Sequence, residues 1–293
     1  MGMTGMLGSA LFRLLAGRED LEVFATKRGA NRLPKNVIAG VDANVFDSVE
    51  KAIAAARPGV VINCIGIIKQ LPEAKDPLVS IYINSLFPHK LAGACKNAGA
   101  RLIHVGTDCV FSGAKGDYTE KDRPDADDLY GRTKFLGEVD YPHAVTLRTS
   151  IIGHEDKTTH GLLEWFLAQK GKVKGFSGAI FTGFTTFELA KIIAEKVIPD
   201  PGLSGLYHVS SDPISKYDLL KKIRRAYGAK AAIENDNKFK CDRSLDSTRF
   251  RKATGYRPPP WDILVEKMHD DFLNMEGRRH SAGGKTAKLE GRK

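Results

Sequence analysis

Short apolar runs alternate with stretches at helical spacing through the first two thirds of the chain. Leu21-Glu-Val-Phe-Ala-Thr26, Gly59-Val-Val-Ile-Asn-Cys-Ile65, Arg101-Leu-Ile-His-Val105 and Ala144-Val-Thr-Leu-Arg148 read as strands. The later three are nearly continuous in apolar character, which suits strands covered on both faces, as in parallel sheets. Between them, residues 9–16, 48–56, 88–97 and 128–139 carry helical spacing, with Asp47-Ser48 as a plausible N-cap. Strand–helix alternation of this kind predicts an α/β fold with a doubly wound, Rossmann-type parallel sheet.

The last third is less regular. Residues 187–197 and 216–227 have amphipathic helical spacing, and Leu206-Tyr-His-Val209 reads as a strand between them. Pro258-Pro259-Pro260 stops the chain before a final helix over 261–275. With no long linker or internal repeat, the expected division is a cofactor-binding domain over 1–150, to which some later segments return. A smaller substrate-binding lobe follows over 151–275, then a disordered basic tail over 276–293. That tail sets Arg278, Arg279, Lys285, Lys288, Arg292 and Lys293 against Glu276 and Glu290, the pattern of a solvated end.

Composition narrows the class. The 293 residues are 42% hydrophobic and 27% charged, which is globular rather than disordered. The formal net charge of +10 suits either nucleic acid or small phosphorylated ligands. Part of the excess sits in the tail and no nucleic-acid motif accompanies it, so a phosphorylated small molecule is the favoured partner. Cys64, Cys95, Cys109 and Cys241 form no CxxC pair, and the histidines show no ligand spacing, so no metal is expected. No run approaches the roughly 18 apolar residues of a membrane span, and no secretory signal is visible. Cytoplasm, with no membrane partner, follows by elimination.

Gly2-Met-Thr-Gly5-Met-Leu-Gly8 is a GxxGxxG pattern that opens directly into an apolar helical stretch. Glycines there permit a tight turn and let backbone approach a pyrophosphate at the helix N-terminus. Such a loop is expected to follow a central strand, yet only Met1 precedes it, so the first strand is expected to lie upstream of this sequence. Thr26-Lys27-Arg28 closes the next strand. Basic Lys27 and Arg28 suit the 2′-phosphate of NADP better than the bare ribose hydroxyl of NAD. Asp42-Ala43 follows a third expected strand, where an adenine-binding acid belongs.

Tyr130-Gly-Arg-Thr-Lys134 is a YxxxK spacing. On a helix its ends share a face, and an ammonium beside a phenol of pKa about 10 is expected to lower it toward neutral pH. The spacing alone is weak, since Tyr217-Asp-Leu-Leu-Lys221 repeats it and reads as surface helix. Context separates the two. Upstream of Tyr130, His104-Val-Gly-Thr107-Asp108-Cys-Val-Phe-Ser-Gly113 lies at the C-terminal end of an expected strand, the end that faces the ligand crevice in open α/β sheets. Gly131 and Gly137 cost helix stability, which close packing of cofactor or sheet against that helix would explain.

The order GxxGxxG, Thr-Asp-x-Val-Phe-x-Gly, then Tyr-Gly-x-x-Lys-x-x-Gly-Glu resembles the dTDP-4-dehydrorhamnose reductase family of extended short-chain dehydrogenases. The likeness continues in Leu147-Arg148-Thr149-Ser150, Gly205-Leu-Tyr-His-Val209 and Arg243-Ser-Leu-Asp246. It implies NADPH-dependent reduction of the 4-keto group of a nucleotide-linked 6-deoxysugar, with NAD(H) as the alternative cofactor and a homodimer left open. By that resemblance Gly2, Gly5, Met6, Leu7 and Gly8 hold the pyrophosphate, and Asp42 and Ala43 flank the adenine. Gly66, Ile67 and Ile68 border the nicotinamide half. Thr107 orients the keto oxygen, Tyr130 delivers the proton, and Lys134 holds the nicotinamide ribose. Asp108, Ile151 and Arg243 fall around the substrate. Gly106, Cys109 and Ile151 depart from the family pattern, where Ser, Tyr and Trp are usual, so another 4-keto nucleotide sugar fits equally well. A nucleotide-sugar epimerase or dehydratase, or a non-catalytic cofactor-binding regulatory subunit, are the competing readings.

Overall fold

The computed structural model describes residues 1–30, 34–155 and 160–287, with side chains described as far as Met275. Its elements alternate as the apolar pattern demands. Helix α1 (Met6–Ala16) leads to the short strands β1 (Ala25–Thr26) and β2 (Val37–Ile38), then to α2 (Phe46–Ala56) and β3 (Val60–Asn63). Helices α3 (Pro77–Ser80) and α4 (Phe87–Asn97) are joined through a π-helical segment, Ile81–Leu86. Strand β4 (Arg101–Val105), helix α5 (Leu129–Leu136) and strand β5 (Ala144–Arg148) follow.

The remainder holds β6 (Ile151–Ile152), α6 (Leu162–Leu167), β7 (Lys172–Phe181), β8 (Phe184–Thr185) and α7 (Thr186–Ile192). Next come β9 (Gly205–His208), β10 (Ile214–Ser215), α8 (Lys216–Tyr227), β11 (Ala232–Asp242), α9 (Thr248–Thr254) and α10 (Trp261–Ala287). Helix α10 therefore continues beyond Met275 into the stretch expected to be a disordered tail. That stretch through Ala287 contains no proline to stop it, and Glu276, Arg278, Arg279, Ala282, Lys285 and Ala287 favour helix against the cost of Gly277, Gly283 and Gly284. Residues 288–293 of the expected tail lie outside the described residues.

Strands β3, β4, β5 and β9 form a parallel sheet in that order. Side chains alternate between two cores, as a period of two requires. Leu102 and Ala144 enter the cluster shared with Val49 and Ile53 of α2 and Leu91 of α4. Ile103, Val145 and Leu147 enter the cluster shared with Leu7 and Leu11 of α1 and Leu189 of α7. Helices thus cover both faces, the doubly wound arrangement expected from the sequence. Strand β9 joins this sheet from the last third of the chain, while β10, β7 and β11 make a separate three-stranded sheet. Strand β7 pairs parallel with β11 over most of their length.

The expected strand over 21–26 is realised only at Ala25–Thr26, where it pairs with β2 rather than with the main sheet. Met1 lies between the two sheets: its amine donates to Ile62 O at 2.6 Å, and Cys64 N–H donates to Met1 O at 3.3 Å. From the other side, Met3 N–H donates to Thr26 O at 3.2 Å. The expected Asp47-Ser48 cap does not form. Val45 is the N-cap of α2, and Ser48 instead bonds through its hydroxyl with the Asp42 backbone at 2.9 Å. None of the described helices is long and apolar enough to cross a membrane.

Candidate active site

Parallel strands bring their C-terminal ends to one edge, and the residues expected to do chemistry collect there. Strand β3 runs into the loop Cys64–Ile68, and β4 runs into Gly106-Thr107-Asp108. The loop after β4 is anchored from below by Gly106 N–H donating to Leu147 O at 2.8 Å and Asp108 N–H donating to Thr149 O at 3.0 Å.

The glycine loop has the form a pyrophosphate needs. Gly2 sits at φ 79°, in the left-handed region that glycine tolerates. A β-carbon on Gly8 would lie 2.1 Å from Gly2 O, so the loop closes tightly against the first turn of α1. A side chain on Gly5 would meet only Gly2 O, at 3.6 Å. Gly5 is the N-cap of α1, with no side-chain cap and no acidic residue in the first turn. The leading N–H groups of Met6, Leu7 and Gly8, with the helix dipole behind them, are thus arranged for an anion. This cradle fits a dinucleotide. Lys27, partly exposed, and Arg28, exposed, follow β1, and Lys27 N–H donates to Ile38 O at 3.1 Å. Asp42 accepts from Asn44 N–H at 2.9 Å, and Ala43 is buried in the core beneath α2.

Helix α5 carries the YxxxK pair. Asp128 caps it, its carboxylate accepting from Gly131 N–H at 2.7 Å. Lys69 pairs with the same carboxylate and ties the loop after β3 to this helix. The helix packs with almost no clearance: a β-carbon on Gly131 would lie 2.4 Å from Cys109 O, and one on Gly137 would lie 1.8 Å from Asn84 O. The protein neighbours that demand these glycines are Ala126, the turn after Thr107 and the π-helical segment, rather than the sheet.

Thr107, buried, donates through Oγ1 to Asp108 Oδ1 at 3.2 Å and accepts from Cys109 N–H at 3.1 Å. Burial pushes the partly exposed Tyr130 phenol above its ordinary range, Cys109 adds to the rise, and a hydrogen bond with the Thr107 side chain opposes it. Lys134, 6% exposed, donates to Val105 O at 3.2 Å. Its ammonium is lowered to about 8 by burial, against the pull of Glu138 and Cys64. The expectation that Lys134 acidifies Tyr130 is therefore not what this geometry does. The amine turns to the end of β4, and desolvation dominates the phenol. Burial also raises the Asp108 carboxyl, which the nearby Arg243 opposes. Arg243 reaches in from the turn after β11 and donates through Nε to Phe111 O at 2.7 Å. Ile151 lies in β6, two residues past Thr149, and packs against the larger core.

One residue important to this arrangement, Asn84, lies in no motif read from the sequence, whereas the Glu138–Arg148 pair behind α5 falls within two of them. Asn84, 1% exposed, accepts from Ile67 N–H at 2.9 Å and donates to Ile67 O at 3.2 Å, fixing the backbone between Gly66 and Ile68. A β-carbon on Gly66 would meet Asn84 Oδ1 at 3.4 Å and Lys134 Nζ at 3.7 Å, so three segments converge on that glycine. The π-helical geometry around Asn84 is a recurrent device at functional sites. Behind α5, Glu138 holds Arg148 in a bidentate pair at 2.6 and 2.7 Å, and Arg148 also meets His208 at 3.2 Å. By contrast the second YxxxK, on α8, sets the Lys221 amine 5.0 Å from the Tyr217 ring centre and pairs it with Asp218 at 3.5 Å. Among the described residues, no group of three or more His, Cys, Asp or Glu side chains is placed to hold a metal.

The family model described as the RmlD substrate binding domain matches residues 1–274. The chain is 31% identical over 282 residues to a probable dTDP-4,6-dihydroxy-2-methyloxan-3-one 4-ketoreductase of Streptomyces antibioticus, covering 92% of this chain and 85% of that one. It is 26% identical over 310 residues to methionine adenosyltransferase 2 subunit beta of Danio rerio, covering 91% and 90%. A crystal structure of a hypothetical dTDP-4-dehydrorhamnose reductase from Sulfolobus tokodaii superposes with a TM-score of 0.74 at 26% identity, over 89% of this chain and 97% of that one. A dTDP-4-dehydrorhamnose reductase from Bacillus anthracis in complex with NADP shares the fold, with a TM-score of 0.73 at 20% identity over 92% and 97%. With its glycine cradle, its Thr107–Tyr130–Lys134 cluster and a family match spanning nearly its whole length, this chain belongs to the RmlD substrate-binding-domain family.

Proposed function

We propose that this protein is an NADPH-dependent reductase of the 4-keto group of a nucleotide-linked 6-deoxysugar. The observation that carries the reading is the convergence of Thr107, Tyr130 and Lys134 at the C-terminal end of β4, beside the loop that Asn84 holds. A dinucleotide fits the cradle formed by Gly2, Gly5, Met6, Leu7 and Gly8, with Lys27 and Arg28 meeting a 2′-phosphate and Asp42 and Ala43 beside the adenine. Gly66, Ile67 and Ile68 border the nicotinamide half, and Lys134 holds its ribose. When bound, the reduced cofactor supplies the hydride.

Thr107 donates a hydrogen bond to the substrate keto oxygen and orients it. Tyr130, kept protonated by its surroundings, donates its proton to the same oxygen as negative charge develops there, yielding an alcohol. Asp108, Arg243 and Ile151 contribute to the sugar side. The likeness to a probable 4-ketoreductase and to a hypothetical dTDP-4-dehydrorhamnose reductase supports this reading. A second reading has its own support. The likeness to a protein named as subunit beta of a methionine adenosyltransferase favours a role as the non-catalytic subunit of another enzyme.

One experiment separates them. Incubation with NADPH and a 4-keto nucleotide sugar is expected to consume one equivalent of NADPH per alcohol formed. An epimerase or dehydratase recycles the hydride and gives product without net consumption. A regulatory subunit binds NADPH and turns nothing over, which overturns the reductase reading.

A further inference from the structure

A row of polar side chains crosses the main sheet near the C-terminal ends of its strands. Asn63 of β3, His104 of β4 and Thr146 of β5 are direct neighbours in the parallel register, and all three are fully buried. Core packing does not ask for them. Two residues earlier on the same face, Val61, Leu102 and Ala144 fill the equivalent row inside the core that α2 and α4 cover.

The neighbours of the row fix its hydrogen bonds. Ile65 N–H donates to Asn63 Oδ1 at 3.0 Å, which turns Asn63 Nδ2 toward His104 Nδ1 at 3.1 Å. An amide nitrogen only donates, so Nδ1 accepts and the neutral ring carries its hydrogen on Nε2. Burial, with the Lys134 charge adding to it, holds that imidazole neutral, well below its ordinary range. Nε2 is buried and meets no partner among the described residues. A ring with an unpaired N–H is a costly occupant of a core position, and what it secures is the orientation of the Asn63 amide. Farther along the row, Thr146 Oγ1 accepts from Val139 N–H at 2.9 Å and donates to Val139 O at 2.8 Å, just past the end of α5. One end of the row therefore holds the loop after β3, and the other holds the helix of Tyr130 and Lys134.

We propose that Asn63 and His104 are positioning residues for the nicotinamide half of the cofactor. His104 fixes the Asn63 amide, and Asn63 fixes Ile65 N–H. Asn84 fixes Ile67, so the backbone is held on both sides of Gly66. This rests on the dinucleotide reading given above. The wall so formed sets the hydride-donating ring against the carbonyl that Thr107 and Tyr130 address, where a misplacement of about 1 Å costs on the order of 10²-fold in rate. A staple between strands needs no such pair. Strands β3 and β4 are already joined through four register pairs, and two apolar side chains would pack the same positions.

Two variants separate positioning from stability. Asn63→Val with His104→Leu continues the Val61–Leu102 pattern and leaves neither polar partner behind. Its Tm is expected to stay within about 3 °C of the parent or to rise. Its NADPH dissociation constant, read by fluorescence titration, is expected to rise at least about tenfold. His104→Asn keeps an amide oxygen where Nδ1 stands but leaves a cavity, so Tm falls. Its NADPH affinity is nevertheless expected to stay within about threefold of the parent. Single-turnover reduction of a 4-keto nucleotide sugar at saturating NADPH is expected to follow the order of affinity and not the order of Tm. A double variant that binds NADPH as tightly as the parent would overturn the proposal. So would NADPH affinities that fall in step with Tm in both variants. A parent that binds NADPH but reduces no keto sugar ends the reductase reading and leaves the binding comparison standing. A parent that binds neither NADPH nor NADH overturns both.

Discussion

Gly137 lies so close to Asn84 that a β-carbon on it would fall 1.8 Å from the Asn84 carbonyl oxygen. The contact locks helix α5, which carries Tyr130 and Lys134, against the segment whose Asn84 side chain brackets Ile67. Gly137→Ala must separate the two. We expect it to destabilise the fold by about 2–4 kcal/mol, at the overpacking end of core substitutions. Urea unfolding checks the loss, and a midpoint unchanged within error would show that the helix slides freely. Asn84→Ala tests the other half of the relationship. Its loss leaves Ile67 N–H and O unpaired and is expected to weaken NADPH binding more than it weakens the fold.

Tyr130→Phe removes one oxygen from a site otherwise defined by Thr107 and Lys134. Turnover of a 4-keto nucleotide sugar is expected to fall by at least about 10³-fold, in the range of a lost proton donor with its hydrogen bonds. NADPH affinity, read by fluorescence titration, is expected to change less than about threefold. Unchanged turnover would remove Tyr130 from the reaction.

Lys134 has a pH signature. Its ammonium is lowered to about 8 in the folded protein, while the unfolded chain has an ordinary lysine near 10.4. Between these values the unfolded state binds the extra proton, so stability from this group rises with pH, by up to about 1.4 kcal/mol per unit. Below pH 8 both states hold the proton and the slope from this group vanishes. Lys134→Met is expected to abolish that part of the rise between about pH 8 and 10. Denaturation midpoints of the two proteins across this range check it, and parallel curves would contradict it.

The buried Arg148 donates to Glu138 through both Nε and Nη2. Replacing Arg148 with Met strands a carboxylate that burial already pushes upward. The loss is expected to be about 3–5 kcal/mol, that of a broken buried ion pair. A double variant, Arg148→Met with Glu138→Leu, is expected to recover much of it, because two apolar side chains need no partner. Thermal denaturation of the single and double variants measures the coupling.

Lys27 and Arg28 set the expected cofactor preference. Exchanging both for Ala is expected to weaken NADPH binding about tenfold or more while leaving NADH within about threefold, since only the former carries the 2′-phosphate. Isothermal titration with both cofactors decides it, and equal losses would place these residues elsewhere on the dinucleotide.

Local spacing fixed what depends on neighbours in sequence. The i, i+4 relation of Tyr130 and Lys134, the glycines before α1, and the alternation of apolar runs with helices all follow from one turn or one strand at a time. They sufficed for the parallel sheet and for the family resemblance. The long strands β7 and β11 escaped, because residues such as Lys172, Lys174, Asn235 and Lys238 break the apolar signal that a buried strand shows. Their pairing is a contact between segments some sixty residues apart, which no window contains.

The chemistry divides in the same way. The chain's own residue types name a phenol and an amine on one helical face. Only the folded neighbourhood decides that the amine turns to Val105 O and that desolvation raises the phenol. A pKa is a property of solvent exclusion and of charges brought close by the fold, and those distances do not exist until the sheet has formed.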